Sequence, residues 1–140
     1  MLFRSRVNVE DGKTAVDGTL KFAESDMHKG EKPRVVAAAY TNSVKGAKET
    51  TLYDVDATIG ALLKQAPPND GVLNAVGKFG VTPASYAFDI ANTGEGQNTG
   101  WLIGGDTLYS VDLATGKATS VGKIAGLNGQ ARKITVLPKM

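Results

Sequence analysis

The chain contains one nine-residue pattern twice, as Leu108-Tyr109-Ser110-Val111-Asp112-Leu113-Ala114-Thr115-Gly116 and as Leu52-Tyr53-Asp54-Val55-Asp56-Ala57-Thr58-Ile59-Gly60. A shorter form at residues 7–12 has Asn8 in place of the final Asp and Gly12 in place of the final Gly. Each copy alternates apolar and polar residues, reaches an Asp or Asn, and has a glycine four positions later. Alternation is typical of a half-buried strand, and an Asx residue followed by glycine favours a tight turn. The pattern therefore predicts β-hairpins. Asn8, Asp56 and Asp112 are 48 and then 56 residues apart, close to the unit size of a propeller blade.

The composition fits one globular all-β domain. The chain has 140 residues, and 41% of them are hydrophobic, which is enough for a sizeable core. It has 17 glycines and only 6% aromatic residues, which favours short strands and tight turns over long helices. Because it has no cysteine, disulfides and thiolate metal sites are excluded.

Charge and hydropathy exclude several classes of partner. The 16 basic and 14 acidic residues leave a net charge of +2 and are scattered, so nothing indicates nucleic acid or acidic lipid. No apolar run approaches the roughly 20 residues that span a bilayer, so we expect no membrane insertion. Residues 1–6 supply no apolar region of a signal peptide. Since a strand and its turn at residues 6–12 have no preceding partner strand, we expect a fragment of a longer protein.

The order of the segments predicts repeated meanders of up to four antiparallel strands. We expect the end of one blade and a loop at residues 1–34, one blade at 35–79, another at 80–124, and a closing or next inner strand at 125–140. The strands of the two blades are predicted at residues 35–41, 50–56, 61–65, 73–79, 86–90, 100–104, 107–113 and 117–124, with one more strand at 131–137. Residues 35–41 are apolar on both faces, which predicts an innermost strand in a crowded interior. The predicted fold class is all-β, a partial β-propeller of about two and a half to three blades.

Four stretches of the chain resemble a known bacterial family. They are residues 35–43, residues 51–56, Gln65-Ala66-Pro67-Pro68-Asn69-Asp70-Gly71-Val72-Leu73-Asn74, and residues 108–116. Together they resemble the family catalogued as domain of unknown function 4394, from about Arg6 to Val136, with the proline-containing segment as its most specific part. The resemblance implies a β-propeller longer than this chain, commonly within exported proteins and without an assigned activity. This chain would be the C-terminal portion, with open blade edges available for self-association.

No catalytic, cofactor-binding or metal-binding residue is predicted. His28, the only histidine, lies in the polar loop at residues 24–34 without an orienting partner nearby, which predicts a solvated side chain. Residues 54–60 have the oxygen spacing of a calcium loop but lack its closing glutamate, and Ser110 replaces the first ligand in the sister copy. Asp56 and Asp112 are therefore predicted to cap hairpin turns.

The remaining candidates are also predicted to be structural. Asp89, Asp106 and Asp112 are expected at turns or strand ends rather than as a converging acid pair. A flexible loop is expected at residues 92–99, because its glycines precede a strand and not a phosphate-binding helix. The serines without a nucleophile-elbow context are Ser43, Ser85 and Ser120. The aromatic residues predicted to pack between blades rather than to bind ligand are Tyr40, Tyr53, Tyr86, Trp101 and Tyr109.

The predicted function is a non-enzymatic binding or structural module with a protein or carbohydrate ligand and no cofactor. The resemblance implies an exported parent protein, extracellular or periplasmic. The alternative is that the chain is part of a propeller hydrolase or lyase, whose active site is completed by missing N-terminal blades. Carboxylates converging from the loops after Tyr40 or Ile90 would favour the enzyme, whereas a flat aromatic or polar patch would favour binding.

Overall fold

The strands form two four-stranded meanders, one of them extended by a fifth strand, and a separate small hairpin. The computed structural model describes residues 4–94 and 96–137, and within them the regular structure is strand, without a helix. The strands are β1 (Ser5–Val7), β2 (Thr14–Val16), β3 (Lys21–Phe22), β4 (Val35–Tyr40), β5 (Leu52–Asp56), β6 (Ala61–Gln65), β7 (Val72–Lys78), β8 (Tyr86–Gly94), β9 (Gln97–Gly104), β10 (Thr107–Val111) and β11 (Ala118–Lys123). The all-β prediction is confirmed. None of the described segments is a helix with the length and apolarity needed to cross a bilayer.

The two larger sheets follow the order of the chain. The first sheet has the order β3-β7-β6-β5-β4, in which β4 to β7 are an antiparallel meander and β3 pairs in parallel with β7. The second sheet has the order β11-β10-β9-β8 and is antiparallel throughout. Among the strands of the described residues, β1 and β2 pair only with each other. Each of the predicted units at residues 35–79 and 80–124 thus contains one four-stranded meander.

All three copies of the sequence pattern form the predicted hairpin turn. The side-chain oxygens of Asn8, Asp56 and Asp112 each accept a hydrogen bond from the backbone N–H two residues later, at 2.7–2.8 Å. The glycines four positions later have φ angles between +60° and +76°, a conformation that glycine adopts without a Cβ clash. The repeat in the sequence is therefore a repeat of the capped turn.

The two longer copies occupy different positions in their sheets. The β5–β6 hairpin supplies the second and third strands of its meander, whereas the β10–β11 hairpin supplies the third and fourth. Tyr53 and Tyr109 are therefore equivalent in the sequence repeat but not in the sheets, in agreement with the predicted strand order, which has residues 50–56 second and residues 107–113 third in their units. Local turn chemistry fixes a hairpin, but it does not fix where the hairpin joins a sheet.

The main core lies between the two sheets, which pack face to face. It consists of Ala39, Val55, Leu62, Phe79, Tyr86, Phe88, Ile90, Leu102 and Val111. Beyond this core, Gly77 of β7 lies against the backbone of Thr115 and Gly116, so close that a Cβ on Gly77 would overlap the Thr115 carbonyl. The Ala118 N–H also donates to the Phe79 carbonyl at 3.1 Å. A second cluster covers the opposite face of the first sheet and contains Leu20, Phe22, Ala61, Leu63 and Leu73.

Three segments differ from the predictions. β4 is an edge strand beside β8, and only one of its faces meets the core, so Val36 and Tyr40 are 39% and 42% exposed rather than crowded on both sides. β8 and β9 extend into the predicted loop at residues 92–99, because Ala91 pairs with Thr99 and Asn92 with Asn98; Glu95 lies outside the described residues. Residues 131–137 form no strand, and the Val136 N–H donates to the Asp89 side chain at 2.8 Å instead of to a backbone carbonyl.

Candidate functional site

A cleft of about 330 Å³ opens where the beginnings of β4 and β8 approach residues 130–132. It is lined by Arg34, Val36, Ala57, Pro83, Ala84, Ser85, Tyr86, Gln130 and Arg132. Two of these side chains are cationic and none is acidic. Within the described part of the chain, neither guanidinium group takes part in an ion pair or a hydrogen bond.

Asp56 fixes the backbone of Arg34 at the rim of this cleft. The Arg34 N–H donates to Asp56 Oδ2 at 2.7 Å, and the Arg34 carbonyl accepts from the Ala57 N–H at 3.0 Å. Asp56 Oδ1 accepts from the N–H groups of Thr58 and Ile59, and the side chain is only 1% exposed. Hydrogen bonds to an ionised carboxylate are stronger than neutral ones. The same aspartate therefore caps the β5–β6 turn and anchors the start of β4.

Ser85 and Tyr86 form the side of the cleft that belongs to the second sheet. The Ser85 carbonyl accepts from the Gly105 N–H at 3.2 Å. Ser85 is only 8% exposed, and its hydroxyl is buried. This hydroxyl has no hydrogen-bond partner among the described residues. Tyr86 packs on Phe79, with ring centroids 6.1 Å apart. Burial, reinforced by the negative charge of Asp56, raises the pKa of the Tyr86 hydroxyl above its ordinary value.

A buried acid, Asp54, lies in β5 but does not line the cleft. It is 1% exposed, and its Oδ2 has no hydrogen-bond partner in the part of the chain that the structure covers. Burial raises the pKa of Asp54 to about 7, and the positive charge of Arg4 opposes this rise. Arg4 is held by the Pro68 carbonyl at 2.7 Å and by Asp17 at 3.2 Å. Asp54 therefore changes charge near neutral pH.

The prediction that Asp56 and Asp112 cap hairpin turns is confirmed, and the prediction of a solvated His28 is wrong. The Asp56 oxygens are occupied by backbone N–H groups, as a turn cap requires. His28 is not solvated: its ring packs on Phe22 at 5.4 Å, its Nδ1 lies 3.1 Å from Glu31 Oε2, and its side chain is 15% exposed. His28 is half-buried because the polar loop at residues 24–34 places its ring against Phe22 of β3. In the described ranges, no group of three or more His, Asp or Glu residues is arranged to hold a metal ion.

The other candidate residues are dispersed. Asp106 and Asp112 flank opposite ends of β10, as predicted. Asp89 lies within β8, so the prediction of a turn or strand end is wrong for this residue, because β8 continues to Gly94. Asp106 contacts Lys123 at 3.1 Å, while Asp89 accepts from Val136. The candidate serines differ: Ser43 donates to the Tyr40 carbonyl at 3.1 Å, Ser120 lies in exposed β11, and Ser85 lines the cleft.

The aromatic residues divide into two groups. Tyr86 belongs to the main core, and Tyr53 and Tyr109 pack against it, which confirms the packing prediction for these three residues. Tyr40 is exposed on the open face of β4, so this prediction was wrong for Tyr40; Trp101 is half-buried outside both clusters. Sequence reasoning did not identify Arg34 or Arg132, which no local motif distinguishes from other charged residues. It considered Asp54 only as the first oxygen ligand of the calcium-loop pattern at residues 54–60, and not as a buried acid.

Comparison with known proteins gives one match. The family described as Domain of unknown function (DUF4394) matches residues 4–135. No curated protein and no solved structure matches the chain. The match includes both meanders, the capped turns and the lining of the cleft up to Arg132. The chain therefore belongs to the family of domain of unknown function 4394.

Proposed function

We propose that this chain is a non-enzymatic binding module that holds a ligand in the cleft between the starts of β4 and β8. The observation that carries this proposal is the composition of the cleft wall. Two guanidinium groups without partners among the described residues stand beside a buried hydroxyl that has none either. Buried polar groups normally have partners, so an unsatisfied one in a cleft wall points to a ligand.

We further propose that the two meanders are neighbouring blades of a partial β-propeller. In support, each meander is four-stranded, their first strands β4 and β8 lie side by side, and the sheets pack face to face. Residues 1–34 would be the end of a preceding blade, and residues 125–140 would be the position of the next inner strand. The open faces at both ends would then be covered by further blades or by a second copy of the chain.

A fragment screen observed by NMR tests the binding proposal. The chain is titrated with a mixed set of neutral, anionic and cationic small molecules, including monosaccharides and short peptides. We expect saturable shifts of the amide signals of Ser85, Tyr86 and Gln130 with at least one class. Shifts scattered over the surface, without saturation at the cleft, would contradict the proposal.

The hydrolase or lyase alternative has one supporting observation, the buried Asp54 carboxylate, whose Oδ2 has no hydrogen-bond partner among the described residues. Burial raises the pKa of Asp54 to about 7, which is in the range of a general acid or base. A full-length parent protein would be incubated with polysaccharides and assayed for released reducing ends. Loss of product release in Asp54→Asn, with unchanged folding, would favour the enzyme over the binding module.

We also propose that the parent protein is exported. The support is the family resemblance, which implies an exported parent protein; the absence of cysteine suits a cytoplasmic protein equally well and does not decide the compartment. Fractionation of cells that express the full-length gene tests this. Recovery of the protein only from the cytoplasmic fraction would contradict it.

A further inference from the structure

We propose that the ligand of the cleft is a small organic carboxylate, bound through Arg34 and Arg132. This inference rests on the proposed binding function and names the chemical class of the ligand. It follows from the charge, the neutral donors and the apolar wall of the cleft.

The charge of the cleft selects an anion. Arg34 comes from the start of β4 and Arg132 from the segment at residues 130–132, so two parts of the chain far apart in sequence each place a permanent positive charge at one cleft. None of the residues that line it is acidic, and the nearby Asp56 carboxylate is already occupied by three backbone N–H groups. Guanidinium groups match the planar geometry of a carboxylate with two parallel hydrogen bonds.

The rest of the wall selects an organic anion over an inorganic one. Val36, Ala57, Pro83 and Ala84 present small apolar surfaces, which gain nothing from a fully hydrated inorganic ion. Ser85, Tyr86 and Gln130 supply neutral hydrogen-bonding groups next to them. A cleft of about 330 Å³ is at the small end of ligand sites, which fits a compact molecule with one charged end.

The test compares matched charged and neutral probes. The chain is titrated with sodium D-glucuronate against D-glucose, and with sodium butyrate against butyramide, at constant ionic strength while its amide NMR spectrum is recorded. We expect at least one carboxylate to shift the signals of the cleft residues saturably and to bind about tenfold more tightly than its neutral partner, since two guanidinium groups meet its charge. Inorganic phosphate is the third arm and should bind more weakly than the carboxylate.

The variants assign the effect to the two arginines. Arg34→Gln and Arg132→Gln should each weaken carboxylate binding by about tenfold, because each loses a charge-assisted contact. Lys133→Gln is the matched control, since it removes one positive charge from the same segment but does not line this cleft; it should change the affinity by less than about twofold.

The outcomes separate this inference from the binding proposal. Equal affinity for the neutral partners, tighter binding of phosphate than of either carboxylate, or equal effects of all three variants would overturn the inference while leaving a binding cleft. Absence of saturable shifts with both carboxylates would also overturn it, and the broader fragment screen would then decide whether the cleft binds another class of ligand.

Discussion

Replacing Gly77 by alanine is expected to force the two sheets apart at a contact outside their shared core, where β7 meets the turn between β10 and β11. A Cβ at Gly77 would overlap the carbonyl oxygen of Thr115, in the turn between β10 and β11, and a Cβ at Gly116 would overlap the Gly77 carbonyl in return. Both obstacles are backbone atoms, which cannot rotate away. Gly77 has no positive φ, so the overlap is the only penalty. Overpacking costs about 1–3 kcal/mol, and we expect about 3 kcal/mol because backbone must move.

Gly122 in β11 provides the matched control for Gly77→Ala. It is also a strand glycine without a positive φ, and no atom lies within 4 Å of its would-be Cβ. Gly122→Ala should stabilise the fold slightly, by about 0.5 kcal/mol, because alanine has less freedom to lose. Urea unfolding followed by the fluorescence of Trp101, the only tryptophan, measures both variants. With a slope of about 2 kcal/mol per M, the Gly77→Ala midpoint should fall by about 1.5 M. Equal midpoints for the two variants would refute the close approach of the sheets.

Substitutions at three further polar residues, Asp54, Asp56 and Asn42, test their roles in stability. Burial raises the pKa of Asp54 to about 7, so the folded protein favours the protonated side chain. The stability that this preference contributes is complete below about pH 4 and is lost as the pH rises through about 7. Asp54→Asn should remove this fall and raise the free energy of unfolding at pH 8 by an amount on the order of 4 kcal/mol; urea midpoints that keep the wild-type pH dependence would count against it. Asp56→Ala leaves three backbone N–H groups without an acceptor and should cost about 3 kcal/mol in urea unfolding, far more than Asp112→Ala in the exposed turn; similar losses would disprove its anchoring role. Asn42 has a φ of +53°, and its Oδ1 accepts from Asn92 and Asn98, so Asn42→Ala should cost about 1 kcal/mol more than Asn42→Gly, which keeps the backbone conformation. Both variants should speed hydrogen exchange in the β8–β9 hairpin, and unchanged exchange would argue against this link between the sheets.

The hairpins could be predicted from the sequence because their turns depend on nearby residues. An Asx oxygen that accepts the N–H two positions later, with glycine four positions later, determines the turn wherever the hairpin lies. The position of each hairpin in its sheet depends on contacts between distant segments. The repeat alone does not give that position: β5–β6 and β10–β11 occupy different strand positions, which only the order of the segments along the chain predicts.

The buried acid and the cleft could not be predicted for the same physical reason. Alternation places Asp54 on the polar face of β5, and it is buried because other parts of the chain, among them Arg4, cover that face. Arg34 and Arg132 are distant in sequence and are brought to one cleft by the packing of the sheets. Neither feature has a local sequence pattern.

The parallel pairing of β3 with β7 adds an edge strand that has to be removed before β7 can separate from the first sheet. β3 and β4 lie at opposite edges of this sheet, so the chain between them runs from one edge to the other. Asp26, within this connection, accepts a hydrogen bond from the Ala75 N–H of β7 at 2.6 Å. Separating β3 and its connection from the sheet therefore requires the Asp26–Ala75 hydrogen bond to break together with the β3–β7 ladder. The five strands should consequently separate in one step under a pulling force rather than peel off from the β7 side.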